Sequence, residues 1–313
     1  MKSSCFHDFD AFAESIRDVD SRMLLRNPQR RVWSVSSVDL GRVNVQLGKL
    51  GSGNIARGQL RSDGYMLYLP LTDGIEYSAN GSVLEENSFA ILEPGCEFCI
   101  STKAHHDWCV AFVPTDLLAK GGEFAVQPSR ACRVTRPNQL AAEEFRTTLL
   151  QIFSTAANSR FESSHAATRA AKELVQIASL IVKEKQAASS GHEGRPRIPR
   201  ERIIPSCMDF LELHTDKTIA VSDLATVAGV SERTVRTAFK EYFGVSPIRY
   251  LQLRRLHKIH RALRVADPEE ATVSTILIEH GEWEFSRFAS RYYRLFGRLP
   301  SETLRTFRRS NLA

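Results

Sequence analysis

Between Val221 and Pro300 the chain spells one supersecondary unit twice. The first copy is VSDLATVAGVSERTVRTAFKEYFGVSP, ending at Pro247, and the second is VSTILIEHGEWEFSRFASRYYRLFGRLP, from Val273 to Pro300. Val221 and Val273 open the copies. Gly229 and Gly281 each stand eight residues on, followed by Phe239 and Tyr292, Gly244 and Gly297, and Pro247 and Pro300. The second copy carries one extra residue between its first glycine and its aromatic. Glycines, prolines and apolar positions matched in order mean a single unit built twice.

The unit reads as helix, turn, helix. Ser222 is the expected N-cap of a short helix carrying Leu224, Val227 and Ala228 at helical spacing. Gly229 ends that helix, because glycine reaches the left-handed conformation of a tight turn at no steric cost. Ser231 caps a second helix, from Glu232 to about Phe243. Val235, Ala238, Phe239 and Tyr242 fall on its inner stripe, leaving Arg233, Thr234, Arg236, Thr237 and Lys240 outside. Gly244 stops the helix, and Ser246-Pro247 starts another, expected to run to about Val265. A helix of this diameter with a basic, polar outer face can enter the major groove of DNA and present side chains to base edges.

This arrangement resembles the AraC/XylS family of bacterial transcription regulators. The match rests on Asp223-Leu224-Ala225, Gly229-Val230-Ser231, Phe239-Lys240, Gly244-Val245-Ser246-Pro247, Tyr250-Leu251, Arg254-Arg255-Leu256, Ala262-Leu263, Gly281, Phe288, Tyr292, Phe296-Gly297 and Pro300-Ser301. It covers about Ile203 to Phe307. The resemblance implies a double helix-turn-helix domain whose two reading helices straddle a joining helix. On the first, Arg233, Thr234, Arg236, Thr237 and Lys240 are the expected DNA contacts, Arg236 standing at a base-reading position. On the second they are Phe285, Ser286, Arg287, Ser290, Arg291 and Arg294. Two residues depart from the family pattern. Leu277 stands where a small residue is usual, and Glu282 where an apolar, often aromatic residue is usual. Trp283 is expected to supply that aromatic one step later.

Charge points the same way. Residues 195–313 carry 21 Lys and Arg against 14 Asp and Glu, while residues 1–194 carry 21 against 22. The excess of the whole chain, +6, therefore lies in the repeat region, the footprint of a polyanionic ligand. Solvated surface charge is the plainer account of any one cation; the recurrence of cations at the outward positions of both reading helices favours DNA.

A chain of 313 residues suggests two domains. No stretch approaches the roughly eighteen consecutive apolar residues of a membrane helix. The opening MKSSCFHDFDAFAESIRDVD is acidic and amphipathic, unlike a signal peptide, and the six cysteines lack framework spacing. A cytoplasmic location with free thiols follows.

Residues 186–202, QAASSGHEGRPRIPRER, have linker composition, separating a domain at 1–185 from one at 203–313. Their arginines, Arg195, Arg197, Arg200 and Arg202, can touch phosphates or simply be solvated. Upstream, short runs alternate between apolar and polar. Val43 to Leu47 reads as a half-buried strand, Tyr65 to Leu69 as a nearly all-apolar one, Asn80-Gly81 as a hairpin turn and Pro94-Gly95 as another. Such strands make a β-sandwich or barrel. Then the period changes: Gln139 to Ala157 and Ala166 to Lys185 are helical, with Leu149, Ile152 and Phe153 on one stripe and Leu174, Ile177, Ala178 and Ile181 on the other. Barrel followed by helix pair is the order of the family's cupin-like effector and dimerisation domain. The expected fold class is thus α+β in two domains: a cupin-like barrel with a helix pair, then an all-α double helix-turn-helix domain.

Cupins hold metals with histidines and a carboxylate, and His105, His106 and Asp107 are adjacent. Neighbours on a strand point to opposite faces, so the two imidazoles do not share a cavity. Cys96 and Cys99 form a CxxC with no second pair at zinc spacing. No catalytic motif, metal site or cofactor is expected. Trp33, Tyr65, Tyr68 and Trp108 either line a small-molecule pocket or are plain core, whereas Phe239, Tyr292 and Phe296 are core. The sequence reads as a homodimeric, effector-responsive activator that binds double-stranded promoter DNA and recruits RNA polymerase, with the effector and its pocket residues unidentified. Two other readings stand beside it: a barrel that only dimerises, and a metal-dependent cupin enzyme with an appended DNA-binding domain.

Overall fold

The structure is a computed structural model that describes residues 1–85, 87–119, 131–158, 164–183, 200–214 and 219–310. The chain divides into two compact units: residues 1–23 with 28–192, and residues 24–27 with 193–313.

The first unit opens on β1 (Lys2–Phe6) and α1 (Phe9–Glu14), followed by the long strands β2 (Val19–Leu40) and β3 (Val43–Leu60). Then come β4 (Gly64–Pro70), β5 (Tyr77–Ala79), β6 (Ser82–Leu84), β7 (Phe89–Leu92), β8 (Glu97–Thr102), β9 (His106–Pro114), α2 (Thr115–Ala119) and β10 (Cys132–Thr135). Two helices close the unit, α3 (Gln139–Asn158) and α4 (Ser164–Lys183). The strands form one sheet in the order β10-β7-β4-β9-β3-β8-β5-β6, with β2 joining β3 and β1 joining β2. The strands pair antiparallel, for example Met66 opposite Phe112 and Ile55 opposite Ser101. Contacts of β10 with β5 and β6 bring the ends of the sheet together into a nearly closed barrel, which leaves few free edges.

The turns are those the sequence announces. Asn80 and Gly81 take φ of 47° and 81°, the two positive values of a tight hairpin between β5 and β6. Gly95 takes φ of 71°, and Cys96 N–H donates to the Glu93 carbonyl (3.0 Å) across Pro94-Gly95. Asp8 caps α1 by accepting from the Ala11 N–H (3.0 Å), and Phe9 and Phe12 of that helix are buried.

The expected strand at Val43 to Leu47 lies in β3 but is not half-buried. Val43 and Val45 face the core beneath α3 and α4, yet Asn44 and Gln46 on the other face are buried too. Part of that polarity is met locally: Asn44 donates to Asp39 (2.7 Å), and the Gln46 amide both accepts from Arg17 N–H (3.0 Å) and donates to its carbonyl (3.3 Å). The expected helical stripes all pack inward: Leu149, Ile152 and Phe153 of α3, and Leu174, Ile177, Ala178 and Ile181 of α4. Trp33, Tyr65, Tyr68 and Trp108 are all buried. Trp108 stacks on Tyr68 with centroids 6.1 Å apart and covers Gly48 so closely that any Cβ there would strike its ring.

His106 is buried, and its Nδ1 lies 2.9 Å from the Ala104 carbonyl and 3.1 Å from that of Ser52. Burial holds its pKa down at about 4. His105 is exposed, so the two rings diverge as strand alternation demands. Cys96 and Cys99 are buried, and desolvation pushes both thiols up to about 12.

The second unit is helical: α5 (Arg200–Leu213), α6 (Val221–Ala228), α7 (Glu232–Phe243), α8 (Pro247–Val265), α9 (Val273–Glu279), α10 (Phe285–Phe296) and α11 (Pro300–Ser310). Of the linker segment, residues 186–199 lie outside the described residues, Arg195 and Arg197 among them, and Arg200 opens α5. One core gathers Cys207 and Leu211 with Leu224, Val235, Phe239, Phe243 and Leu253. A second gathers Ile259 and Leu263 with Ile276, Leu277, Phe288, Tyr292, Phe296 and Leu304. Among the described residues no helix is long and apolar enough to cross a membrane.

Candidate nucleic-acid interface

The two halves of the helical unit are built by the same local chemistry. In the first, Gly229 takes φ of 63°. Val230 N–H reaches the Ala225 carbonyl (3.0 Å) and Gly229 N–H that of Thr226 (3.2 Å). In the second, Gly281 takes φ of 68°, with Glu282 N–H on the Leu277 carbonyl (2.9 Å) and Gly281 N–H on that of Ile278 (2.9 Å). Both are the paired closure in which a left-handed residue satisfies the last carbonyls of a helix. Ser231 then caps α7 by accepting from Thr234 N–H (3.2 Å), and Ser246 caps α8 from Arg249 N–H (3.3 Å). Ser222 is not the cap of α6. That helix starts two residues earlier than such a cap implies, after Ala220, whose N–H is taken by the Asp223 carboxylate (2.8 Å).

On α7 the inward stripe is Val235, Ala238, Phe239 and Phe243, the last two i+4 and i+8 from Val235, and Tyr242 is only half-buried. Arg233, Thr234, Arg236, Thr237 and Lys240 are all exposed. Arg236 pairs with Glu232 one turn back (2.8 Å), and Thr237 donates to the Arg233 carbonyl (3.0 Å). A hydroxyl that donates in this way retains lone pairs able to accept a further hydrogen bond.

On α10, Phe285, Ser286, Arg287, Ser290 and Arg294 are exposed. Arg287 pairs with Glu284 (2.6 Å), Ser290 donates to the Ser286 carbonyl (3.1 Å), and Arg294 donates to the Ser290 carbonyl (3.3 Å). Arg291 departs from the expected outward set: it is half-buried and turned to Glu282, Nη2 to Oε1 at 3.2 Å. Glu282 is buried, and Arg255 of α8 lies on its other oxygen at 4.0 Å. Trp283 does not replace the missing inward aromatic, since it is 70% exposed. Sequence reasoning singled out Glu282 but missed its partnership with Arg255, because the two are far apart in the chain and only the fold brings them together.

The halves are joined by α8, whose 19 residues make a rod of roughly 28 Å at about 1.5 Å per residue. Its far end is tied to α10 and α11 by a buried relay. His260 Nδ1 lies 2.5 Å from the Tyr292 hydroxyl, which donates to Thr303 (2.8 Å). Between the halves runs a cleft of about 410 Å³, lined among others by Ser222, Arg236, Leu251, Arg255 and Phe288. The arrangement offers two polar, cation-bearing helix faces held at fixed separation on one rigid support.

A family model described as "Helix-turn-helix domain" matches residues 224–306. The chain is 33% identical over 127 residues to the probable thc operon regulatory protein of Rhodococcus erythropolis, a match covering 41% of this chain and 38% of that protein. It is 30% identical over 112 residues to XylDLEGF operon transcriptional activator 2 of Pseudomonas putida, covering 36% of this chain and 68% of that one. Among solved structures, a probable AraC family transcriptional regulator from Rhodopseudomonas palustris covers 34% of this chain and 96% of its own, at 28% identity and a TM-score of 0.32. The matched span thus takes in well under half of the thc operon protein and about two thirds of the Pseudomonas activator. The helical repeat and these relatives place the chain in the AraC/XylS family of transcriptional regulators.

Proposed function

We propose that the protein is a sequence-specific transcription regulator, an effector-responsive activator in which each protomer reads two adjacent major grooves of promoter DNA. The observation that carries this reading is the pair of exposed helix faces, α7 and α10, joined by the 19-residue α8. A rod of roughly 28 Å suits grooves spaced one helical turn apart, roughly 34–36 Å, on one face of the duplex. The site is therefore two asymmetric boxes about one turn apart, not a palindrome. Arg233, Arg236 and Thr237 read one box, with Thr234 and Lys240 at its edge. Phe285, Ser286 and Ser290 read the other, flanked by Arg287 and Arg294. Arginine pairs bidentately with guanine, whereas an aromatic ring and hydroxyls discriminate less, so the second box is the less stringent.

The barrel unit is the proposed effector domain. A cavity of about 220 Å³ lies at its rim, lined by Thr72, Tyr77, Asn87, Ser88 and Arg146 among others, with room for a small polar molecule. Leu140, Leu150 and Leu180 are exposed on α3 and α4, which supports a homodimer through that helix pair. Recruitment of RNA polymerase and a cytoplasmic location complete the reading. In place of an enzymatic role, the family supports regulation.

Hydroxyl-radical footprinting of the whole chain on a site selected from random DNA tests the proposal. Two protected patches per protomer, one turn apart on one face, are expected. Protection confined to one groove, or sharper sequence preference in the second box, overturns the assignment. A ligand-dependent rise in melting temperature separates an effector domain from a barrel that only dimerises.

A further inference from the structure

We infer that Glu282 is a positioning residue that fixes the direction of α10 against α8, and through it the box spacing the protein accepts. The inference rests on the two-box reading above.

Glu282 occupies a defined place in the closure of α9. Its N–H reaches back to the Leu277 carbonyl, five residues earlier, making it the residue just past the left-handed glycine. That residue ordinarily makes an apolar contact with the helix it closes, and its counterpart in the first half is Val230. Here the position holds a carboxylate whose side chain is only 8% exposed. A carboxylate withdrawn from water at such a place is tolerated only when paired. Its two oxygens face two guanidiniums from two different helices, Arg291 of α10 at 3.2 Å and Arg255 of α8 at 4.0 Å. Glu282 thus bridges the joining helix and the second reading helix.

The location of the bridge gives it leverage. Toward its C-terminal end, α10 is held to α8 by the Tyr292–His260 contact and by Phe296 stacked on the His260 ring, with centroids 4.1 Å apart. One such anchorage fixes a point on a rod but leaves its tilt. The Glu282–Arg255 pair is the second anchorage: Arg291 meets Glu282 beside Tyr292, but Glu282 itself stands just before Phe285, at the other end of α10. Two anchorages fix a direction. Loss of the bridge frees the tilt of α10 while the apolar core, with Phe288, Tyr292 and Leu277 buried, keeps the half folded. Arg291, in this account, acts through Glu282 and not by touching DNA.

The experiment measures binding of the whole chain to four DNAs: the selected two-box site, the same site with one base pair inserted or deleted between the boxes, and a site whose second box is scrambled. One base pair shifts the second box by about 3.4 Å and a tenth of a turn. The wild-type chain is expected to prefer the selected spacing at least tenfold. Glu282→Gln is expected to lose about tenfold on that site and less than threefold on the other three, flattening the preference. Arg291→Gln is expected to do the same, and the double variant no more than either single one, because both break one bridge. Unchanged spacing preference in Glu282→Gln overturns the inference, as does an equal loss on all four DNAs, which would mark a purely structural residue. A loss in Arg291→Gln without one in Glu282→Gln would make Arg291 a DNA contact and also overturn it. If Glu282→Gln fails to fold by circular dichroism, the spacing preference of Arg291→Gln decides. A wild-type chain with no spacing preference would instead refute the two-box reading itself.

Discussion

Replacing Tyr292 by phenylalanine removes one oxygen from the interior of the second helix-turn-helix half. That oxygen sits in a chain of polar groups. The Tyr292 hydroxyl gives its proton to Thr303 (2.8 Å), so the 2.5 Å contact with His260 requires the proton on the imidazole Nδ1. Thr303 in turn donates to the Leu299 carbonyl at 3.4 Å. Tyr292 and Thr303 are buried, at 0% and 1% exposure, so water does not replace what is lost. Two hydrogen bonds at about 0.5–1.5 kcal/mol each, together with desolvated groups left behind at about 1–3 kcal/mol, give a cost of about 2–6 kcal/mol. Hydrogen exchange resolves this locally: protection in α8, α10 and α11 should fall by about 30-fold at least and at most about 20,000-fold, while the barrel strands serve as the unchanged control. Thr303→Val breaks the bond from Tyr292 and the longer one to Leu299 but leaves the His260 contact in place, and should cost less than Tyr292→Phe. Unchanged protection in Tyr292→Phe, or a larger loss in Thr303→Val, would show that the relay is not what ties these helices together.

Other outcomes follow from single sites. Arg236→Ala should cost roughly 1–3 kcal/mol on the selected DNA and little on random DNA; equal losses by competition titration would reassign Arg236 to a phosphate. Burial holds His106 neutral, with a pKa of about 4 against an unfolded value near 6.5. The unfolded chain therefore binds the extra proton first as pH falls, and stability of the barrel unit is lost from about pH 6.5 downward. Urea unfolding at pH 7 and pH 5 should differ by about 2 kcal/mol on this account, and His106→Gln should abolish that part of the difference. Gly48→Ala drives a Cβ into the Trp108 indole. It should destabilise the barrel by about 1–3 kcal/mol and shift tryptophan emission; a neutral substitution would mean that Trp108 is not held against β3.

What the sequence made legible was what is decided within a few residues. The left-handed glycines at 229, 244, 281 and 297 are local requirements, as are the Ser231 and Ser246 caps and the Asn80-Gly81 turn. The joining helix begins and ends where its cap and spacing indicate, Pro247 to Val265. What failed was one local cap and the features that depended on partners distant in the chain. Ser222 was expected to cap α6, but Asp223 reaches back to Ala220 and moves the start. Gln46 looked solvent-facing by alternation, yet Arg17 in the turn after α1 covers it. Trp283 was expected inward because an aromatic was missing from the closure of α9. Glu282 takes that place because two arginines, neither at a telling spacing, neutralise it.

The pairing of β3 has a consequence for how the chain is made. Ile55 lies opposite Ser101 and Leu50 opposite His106, so the first half of the barrel waits for partners translated much later, and β7 likewise waits for β10. Contacts so distant in sequence close slowly. The helical half packs neighbour on neighbour, α5 on α6, α6 on α7 and α7 on α8, the pattern of fast folding. The barrel thus leaves the ribosome first and sets its shape last, with open strand edges in the interval. Weakening a barrel strand should accordingly show as aggregated product during synthesis. Weakening a helix of the second half should yield abundant dissolved protein that binds DNA poorly.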